Sequence, residues 1–173
     1  MSPSVTAAII SRELRAMQRE LQAYASEEQV WRLPAGLPNS GGTLALHAAG
    51  NLQHFIGAVL GGSPYVRDRD AEFDRRDVPR SELIEELQRT DEAGRDALGK
   101  LRESALAQPY PLPVANRRLV TGEFLDHLAV HLAYHLGQMD FHRRIVTGDV
   151  TGVGAVSPAD LPGARPIESG RTG

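Results

Sequence analysis

The stretch TGEFLDHLAVHLAYHLGQMDFHRRIVT, which spans residues 121–147, carries the clearest structural pattern in the chain. Seven of its residues recur at alternating steps of four and three, and they are Phe124, Leu128, His131, His135, Gln138, His142 and Ile145. That spacing is typical of one stripe on an α-helix. Three prolines precede the stretch and Gly148 follows it, so we predict a helix over 121–147 capped by Thr121. Its stripe should face the core, although imidazoles and an amide occupy much of it.

Three further helices are predicted from the spacing of apolar residues upstream. The first covers roughly residues 4–26, and its stripe consists of Ile10, Leu14, Met17, Leu21 and Tyr24. The second covers roughly residues 43–60, between cap residues at 39–42 and the pair Gly61-Gly62. The third covers roughly residues 80–104 after Pro79, and its stripe consists of Leu83, Leu87, Gly94, Leu98 and Leu101.

The four helices predict an all-α protein built as a four-helix bundle, because no segment shows the alternation of apolar and polar residues expected of strands. We assign residues 1–148 to this single domain. Residues 149–173, where Gly, Pro and Ser are frequent, form a predicted tail. The connection from Gly61 to Arg80 has roughly 20 residues and exceeds a usual bundle turn, so we expect it to cross the bundle end or fold over a site.

The composition excludes several classes of function. A net charge of −3 and a pI near 6.1 argue against nucleic acid as a partner, because such binding rests on clustered Lys and Arg. The chain has no cysteine, so metal ligands must be His or carboxylate and any reacting thiol must come from a cosubstrate. No signal peptide and no run of about 18 apolar residues is present, which predicts a cytoplasmic protein outside the membrane.

All six histidines fall in two of the predicted helices. His131 and His135, four residues apart, lie one above the other on a helix and can converge on one ion. A third imidazole from the second helix completes a set that suits a divalent ion such as zinc, nickel or iron. His47 is the preferred third ligand, with Asn51 and Gln138 expected to hydrogen-bond the ligands from outside.

The remaining histidines have more than one interpretation. His54 and His142 each lie seven residues beyond a proposed ligand, about 10 Å along the helix axis, so neither easily reaches the same ion. His127 either lines the mouth of the site or faces solvent near the start of its helix. Taken singly, any of the six is more often an ordinary interior or surface histidine, whereas their clustering favours a shared cation.

The fourth-helix string from His127 to Gln138 resembles the His-xxx-His-x-Gly-Gln signature of the DinB-like superfamily, which includes YfiT-type metal-dependent hydrolases and bacterial thiol S-transferases. The segment LHAAGNL at 46–52 resembles the histidine segment of that family's second helix, and RDRDAEF at 67–73 resembles the connector of one branch. The resemblance covers about residues 5–147. It implies His47, His131 and His135 as metal ligands and a homodimer. Many relatives have a second histidine where this chain has Tyr134.

We therefore expect a metal-dependent enzyme that acts on a small-molecule substrate. Its ion would activate water or a low-molecular-weight thiol, or polarise an electrophilic group of the substrate. A metal-binding or stress-associated protein without turnover is the main alternative, and a bundle with pH-dependent histidine packing is another. The charged run at 67–76 either grips an anionic substrate at the rim of the site or is a solvated loop with internal ion pairs. Trp31 and Tyr110 are interpreted as packing residues.

Overall fold

The computed structural model describes residues 1–167, and this part of the chain is helical. Its α-helices are α1 (Pro3–Ala23), α2 (Glu27–Trp31), α3 (Gly41–Leu52), α4 (Arg69–Asp74), α5 (Arg80–Lys100) and α6 (Thr121–Thr147). A π-helical segment, Gln53–Ala58, continues α3, and 3-10 turns lie at Glu103–Ala107 and Pro158–Asp160. Within residues 1–167 there are isolated β-bridges but no strand. The all-α prediction is confirmed.

The long helices α1, α3, α5 and α6 pack around a shared core. Helices α1 and α3 each contact both α5 and α6, so apolar faces of all four meet in one core. The predicted stripe of α1 is buried along its whole length, and that of α5 is buried from Leu83 to Leu98. On α6 the middle of the predicted stripe, from His131 to Gln138, is only half-buried, and Ile145 is 56% exposed, so the prediction that this stripe faces the core is only partly right.

Local backbone chemistry sets the helix ends. Ser2 Oγ accepts a hydrogen bond from the Val5 N–H, and Ser40 Oγ accepts one from the Thr43 N–H at 3.2 Å, so both serines cap their helices. Helix α1 ends at Ala23, earlier than predicted, because Tyr24 is extended and the next helix follows. The predicted cap at Thr121 is wrong, since Thr121 is the first helical residue and Val120 precedes the helix.

The long connections pack against the helices. Helix α4 lies within the connection between Gly61 and Arg80 and packs on α3, so this connection folds over one helix. In the connection before α6, the Tyr110 hydroxyl donates to the Phe55 carbonyl at 2.6 Å. The buried Arg143 pairs with Glu20 at 2.5 Å and donates to the Thr151 carbonyl at 2.8 Å, which holds the start of the predicted tail on α6. Residues 168–173 of that tail lie outside the described residues.

Among residues 1–167, every helix is too short or too polar to cross a membrane.

Candidate metal site

Three imidazoles from two helices meet between α3 and α6. One ring nitrogen from each of His47, His131 and His135 lies within 4.8 Å of the other two. The Nε2 atoms of His131 and His135 are 3.0 Å apart. The ring of His47 stands nearly perpendicular to both, with centroid distances of 5.4 Å to His131 and 4.9 Å to His135. The nitrogens therefore converge on one point between the two helices.

The helix geometry explains this meeting. His131 and His135 are four residues apart on α6 and so share one face. Helix α3 runs opposite to α6, because Leu44 borders the same cavity as His142 while Phe55 contacts Phe124 at a centroid distance of 5.1 Å. This antiparallel register brings His47 level with the α6 pair.

Glu72 of α4 hydrogen-bonds the His47 ring and fixes its orientation. Its Oε2 accepts a hydrogen bond from His47 Nδ1 at 2.9 Å, and Arg67 donates to both carboxylate oxygens at 2.7 and 2.9 Å. Burial raises the pKa of Glu72, but the hydrogen bonds from His47 and Arg67 outweigh burial and keep the pKa below its ordinary value. Glu72 is thus a carboxylate that fixes the His47 ring and leaves Nε2 free.

Gly50 makes room for this contact. A Cβ atom built at position 50 would lie 2.2 Å from Glu72 Oε1, a distance that no real side chain tolerates. Only glycine on this face of α3 lets the carboxylate approach the helix backbone. Gly50 and Glu72 together position His47.

On α6, Gln138 plays the corresponding part for His135. Its Oε1 lies 2.7 Å from His135 Nδ1 and accepts a hydrogen bond from it, so Nε2 of His135 keeps its lone pair. Burial and the neighbouring imidazoles lower the pKa of His131 to about 4, and burial likewise lowers the pKa of His135. Both rings are therefore neutral near pH 7, which is the form that binds metals.

The other predicted contact to the ligands is not formed through the Asn51 amide oxygen. Asn51 is buried one turn beyond His47, but among residues 1–167 its Oδ1 has no hydrogen-bond partner. A role for the Asn51 side chain beside the ligating histidines therefore stays a prediction.

Of the remaining histidines, His142 and His54 lie away from the three-nitrogen cluster, whereas His127 lies beside it. His142 is buried between α1 and α6, where its Nδ1 lies 2.7 Å from the Tyr24 hydroxyl and its Nε2 donates to the Arg32 carbonyl at 2.8 Å. His54 is half-buried in the π-helical segment. His127 is exposed, and its ring stacks on that of His131 at a centroid distance of 5.9 Å. His127 therefore borders the site.

Two functional residues were missed by the sequence reasoning. Glu72 and Gly50 appeared there only inside the segments that resemble the family, with no role given. The available signal was a carboxylate in a connection that is too long for a simple turn. The charged run around Glu72 otherwise behaves as a solvated loop, because Asp68 caps α4 and Arg75 pairs with the exposed Glu82 at 2.9 Å.

The donor set fits a divalent transition-metal ion. Three imidazole nitrogens, two of them in rings whose outer nitrogen is held by an acceptor, form the arrangement typical of zinc, nickel and iron sites in proteins. Ligand type and number alone do not distinguish among these metals.

The fold and the site together define a class of protein. It is a helical protein in which two helices, α3 and α6, bring three histidines together. A family model described as the DinB superfamily matches residues 11–139, about three quarters of the chain. The chain belongs to the DinB superfamily, and the three-histidine cluster fits a metal-binding protein. No curated protein and no solved structure matches the chain.

Proposed function

We propose that this protein is a metal-dependent enzyme that acts on a small molecule through one divalent ion bound by His47, His131 and His135. The observation that carries the proposal is the convergence of the three ring nitrogens within 4.8 Å. The hydrogen bonds from His47 to Glu72 and from His135 to Gln138 strengthen it, because they fix the tautomers that ligation requires. Zinc, nickel and iron are the candidate ions.

The chain's own residues would prepare the site for chemistry. Three protein ligands leave at least one coordination position for a reactant. A divalent ion bound there supplies Lewis acidity, which lowers the pKa of a bound water or thiol and polarises an electrophile. Glu72 holds the His47 ring in one orientation, and Arg67 balances the charge of that carboxylate. The absence of cysteine in the chain means that a thiol nucleophile would be a low-molecular-weight cosubstrate.

Access to the site favours turnover over a purely structural role. His131 and His135 are only half-buried, whereas structural metal sites are typically closed by four protein ligands. Two apolar cavities border the α6 face that carries the site, one beside Gln138 and one beside His127. Reactants therefore have both an open side and walls to bind against.

The test is an activity screen of the metal-loaded protein. Aryl esters, amides, an epoxide and a chloronitrobenzene are offered with and without glutathione, cysteine or a sugar thiol, and product is followed by mass spectrometry. We expect turnover that requires the ion and is lost in His131→Ala, which removes one ligand. Metal-replete wild-type protein with no more turnover than His131→Ala would favour the alternative of a metal-binding protein without catalysis.

A further inference from the structure

An apolar cavity adjoins the three-histidine site at the start of α6. It has a volume of about 330 Å³, and Val114, Leu119, Phe124 and His127 contribute to its walls. A cavity of about 150 Å³ holds benzene in another protein, so this one has room for an aromatic ring with a short side chain. Arg117 and Glu123 also border it.

His127 links the cavity to the proposed metal site. His127 lines the cavity and stacks on His131 at a centroid distance of 5.9 Å and an interplanar angle of 27°. On its other side His127 stacks on Phe124, at 5.9 Å and 13°. A molecule bound beside His131 therefore meets the cavity within one turn of α6.

The outer wall of the cavity is a firmly held turn. The N–H of Val114 donates to the Arg117 carbonyl at 3.0 Å, and the N–H of Arg117 donates back at 2.9 Å. Between them, Ala115 and Asn116 have φ values of +48° and +58°. An alanine in the left-handed region is unfavourable, and such strained residues concentrate at binding sites. Positive φ at both central residues is the type I′ geometry of two-residue hairpin turns, and this turn places Ala115 beside the cavity.

We propose that this cavity, here called the His127 pocket, binds an aryl or alkyl group of the substrate next to the group that reacts at the ion. The inference rests on the proposed function, because it places the reacting group at His47, His131 and His135. The pocket would select apolar, uncharged substituents, since its walls are mainly side-chain carbon and Phe124 closes its inner end.

The second cavity is a weaker candidate for this role. It has a volume of about 440 Å³ between the loop at Leu37 and α6, and Tyr134 and Phe141 form its rim. These two side chains are 63% and 69% exposed and continue an apolar stripe along the outside of α6. An extended stripe of this kind suits a macromolecular surface better than a small substituent.

Straight-chain hydroxamates test the His127 pocket. The full-length chain, loaded with zinc, is titrated by calorimetry with a series from acetohydroxamate to hexanohydroxamate, whose common head group chelates the ion. We expect the dissociation constant to fall about fourfold per added methylene, because each is removed from water. Hexanohydroxamate should thus bind on the order of 100-fold more tightly than acetohydroxamate.

Variants then locate the alkyl tail. Leu119→Trp and Val114→Trp fill the His127 pocket, and each should keep zinc and acetohydroxamate binding while abolishing the gain with tail length. Leu37→Trp fills the other cavity and is the matched control, which should keep the gain. Circular dichroism shows whether each variant keeps its helices. If both pocket-filling variants unfold, the Leu37→Trp control still tests the inference, because loss of the gain with tail length in that variant would contradict it.

Two results would overturn the inference. One is a wild-type affinity that does not depend on tail length, and the other is a dependence that Leu37→Trp abolishes. Failure of the proposed metal site looks different, because zinc-treated protein would then bind no hydroxamate at all, not even acetohydroxamate.

Discussion

Glu72 orients the candidate site from a segment that contributes none of the proposed ligands. Its carboxylate contacts both His47 and Arg67, and Gly50 leaves the space in which it lies. Ligating histidines commonly donate their second N–H to such a carboxylate, which fixes the ring and increases its basicity. We therefore treat Glu72 as a positioning residue for His47.

Replacement of Glu72 by Gln should weaken metal binding without unfolding the protein. The amide keeps the size of the side chain and can still accept a hydrogen bond, but it loses the negative charge that lies against the His47 ring. We expect the dissociation constant for zinc, measured by competition with a chromogenic chelator, to rise on the order of tenfold. Glu82→Gln, at an exposed carboxylate paired with Arg75, is the control and should bind zinc as the wild type does. Equal zinc affinities in the two variants would show that Glu72 does not act as a positioning residue for the metal site.

The residues of the site differ in how far the sequence predicts them. His131 and His135 follow from spacing alone, because both lie on one uninterrupted helix and four residues fix their relative position. His47 depends on the register between two helices, which spacing within one helix does not give; it was the preferred third ligand, and the resemblance implied the same residue. Glu72 could not be predicted in this way, since it reaches His47 through the path of a connection that local periodicity does not encode.

At the scale of elements, the second predicted helix is not α-helical throughout. The prediction covered roughly residues 43–60, but the chain changes to a π-helix at Gln53–Ala58, the segment that contains His54. A π-turn contains more residues than an α-turn, so side chains beyond it rotate away from the earlier stripe. Apolar spacing does not reveal such a change, whereas the end of α6 at Thr147, with Gly148 in the left-handed region after it, was predicted correctly.

Helix α6 places His142 in the core rather than at the site, and this gives a prediction about pH. Burial lowers the pKa of His142 below the ordinary value of 6.5, and its neighbours there are the Tyr24 hydroxyl and the Arg32 carbonyl. The unfolded chain therefore binds a proton that the folded chain rejects. The resulting stability is fully present above about pH 6.5 and is lost as the pH falls toward the lowered pKa.

Urea unfolding of wild-type protein and His142→Gln at several pH values between about 5.5 and 7.5 measures this effect. Below about pH 6.5 the free energy of unfolding should fall more steeply in the wild type, by up to about 1.4 kcal/mol per pH unit. Identical slopes in the two proteins would show that His142 does not titrate differently in the folded and unfolded chain.

At the scale of the whole molecule, an exposed apolar stripe runs along α6. Val130, Tyr134, Phe141 and Ile145 are all more than half exposed and form a stripe about 22 Å long. The apolar stripes of α1 and α5 are buried in the core and are not available for an interface. The homodimer stays a prediction, as does the cytoplasmic location, and we propose the α6 stripe as the dimer interface.

Light scattering tests the dimer. Wild-type protein should have twice the molar mass of one chain, and Phe141→Glu, which places a charge in the stripe, should shift the mass toward that of a monomer. A monomeric wild type would contradict the proposal, as would a dimer that Phe141→Glu leaves intact.

The claim that His47, His131 and His135 hold one divalent ion is tested most directly by the metal content of untagged protein. Elemental analysis after gel filtration near neutral pH should find one divalent ion per chain in the wild type and in His54→Ala. His47→Ala, His131→Ala and His135→Ala should each lose it, because each lacks one of the three nitrogens that lie within 4.8 Å. Wild-type protein that carries no metal, and takes up none when titrated with zinc, nickel or iron, would contradict the account.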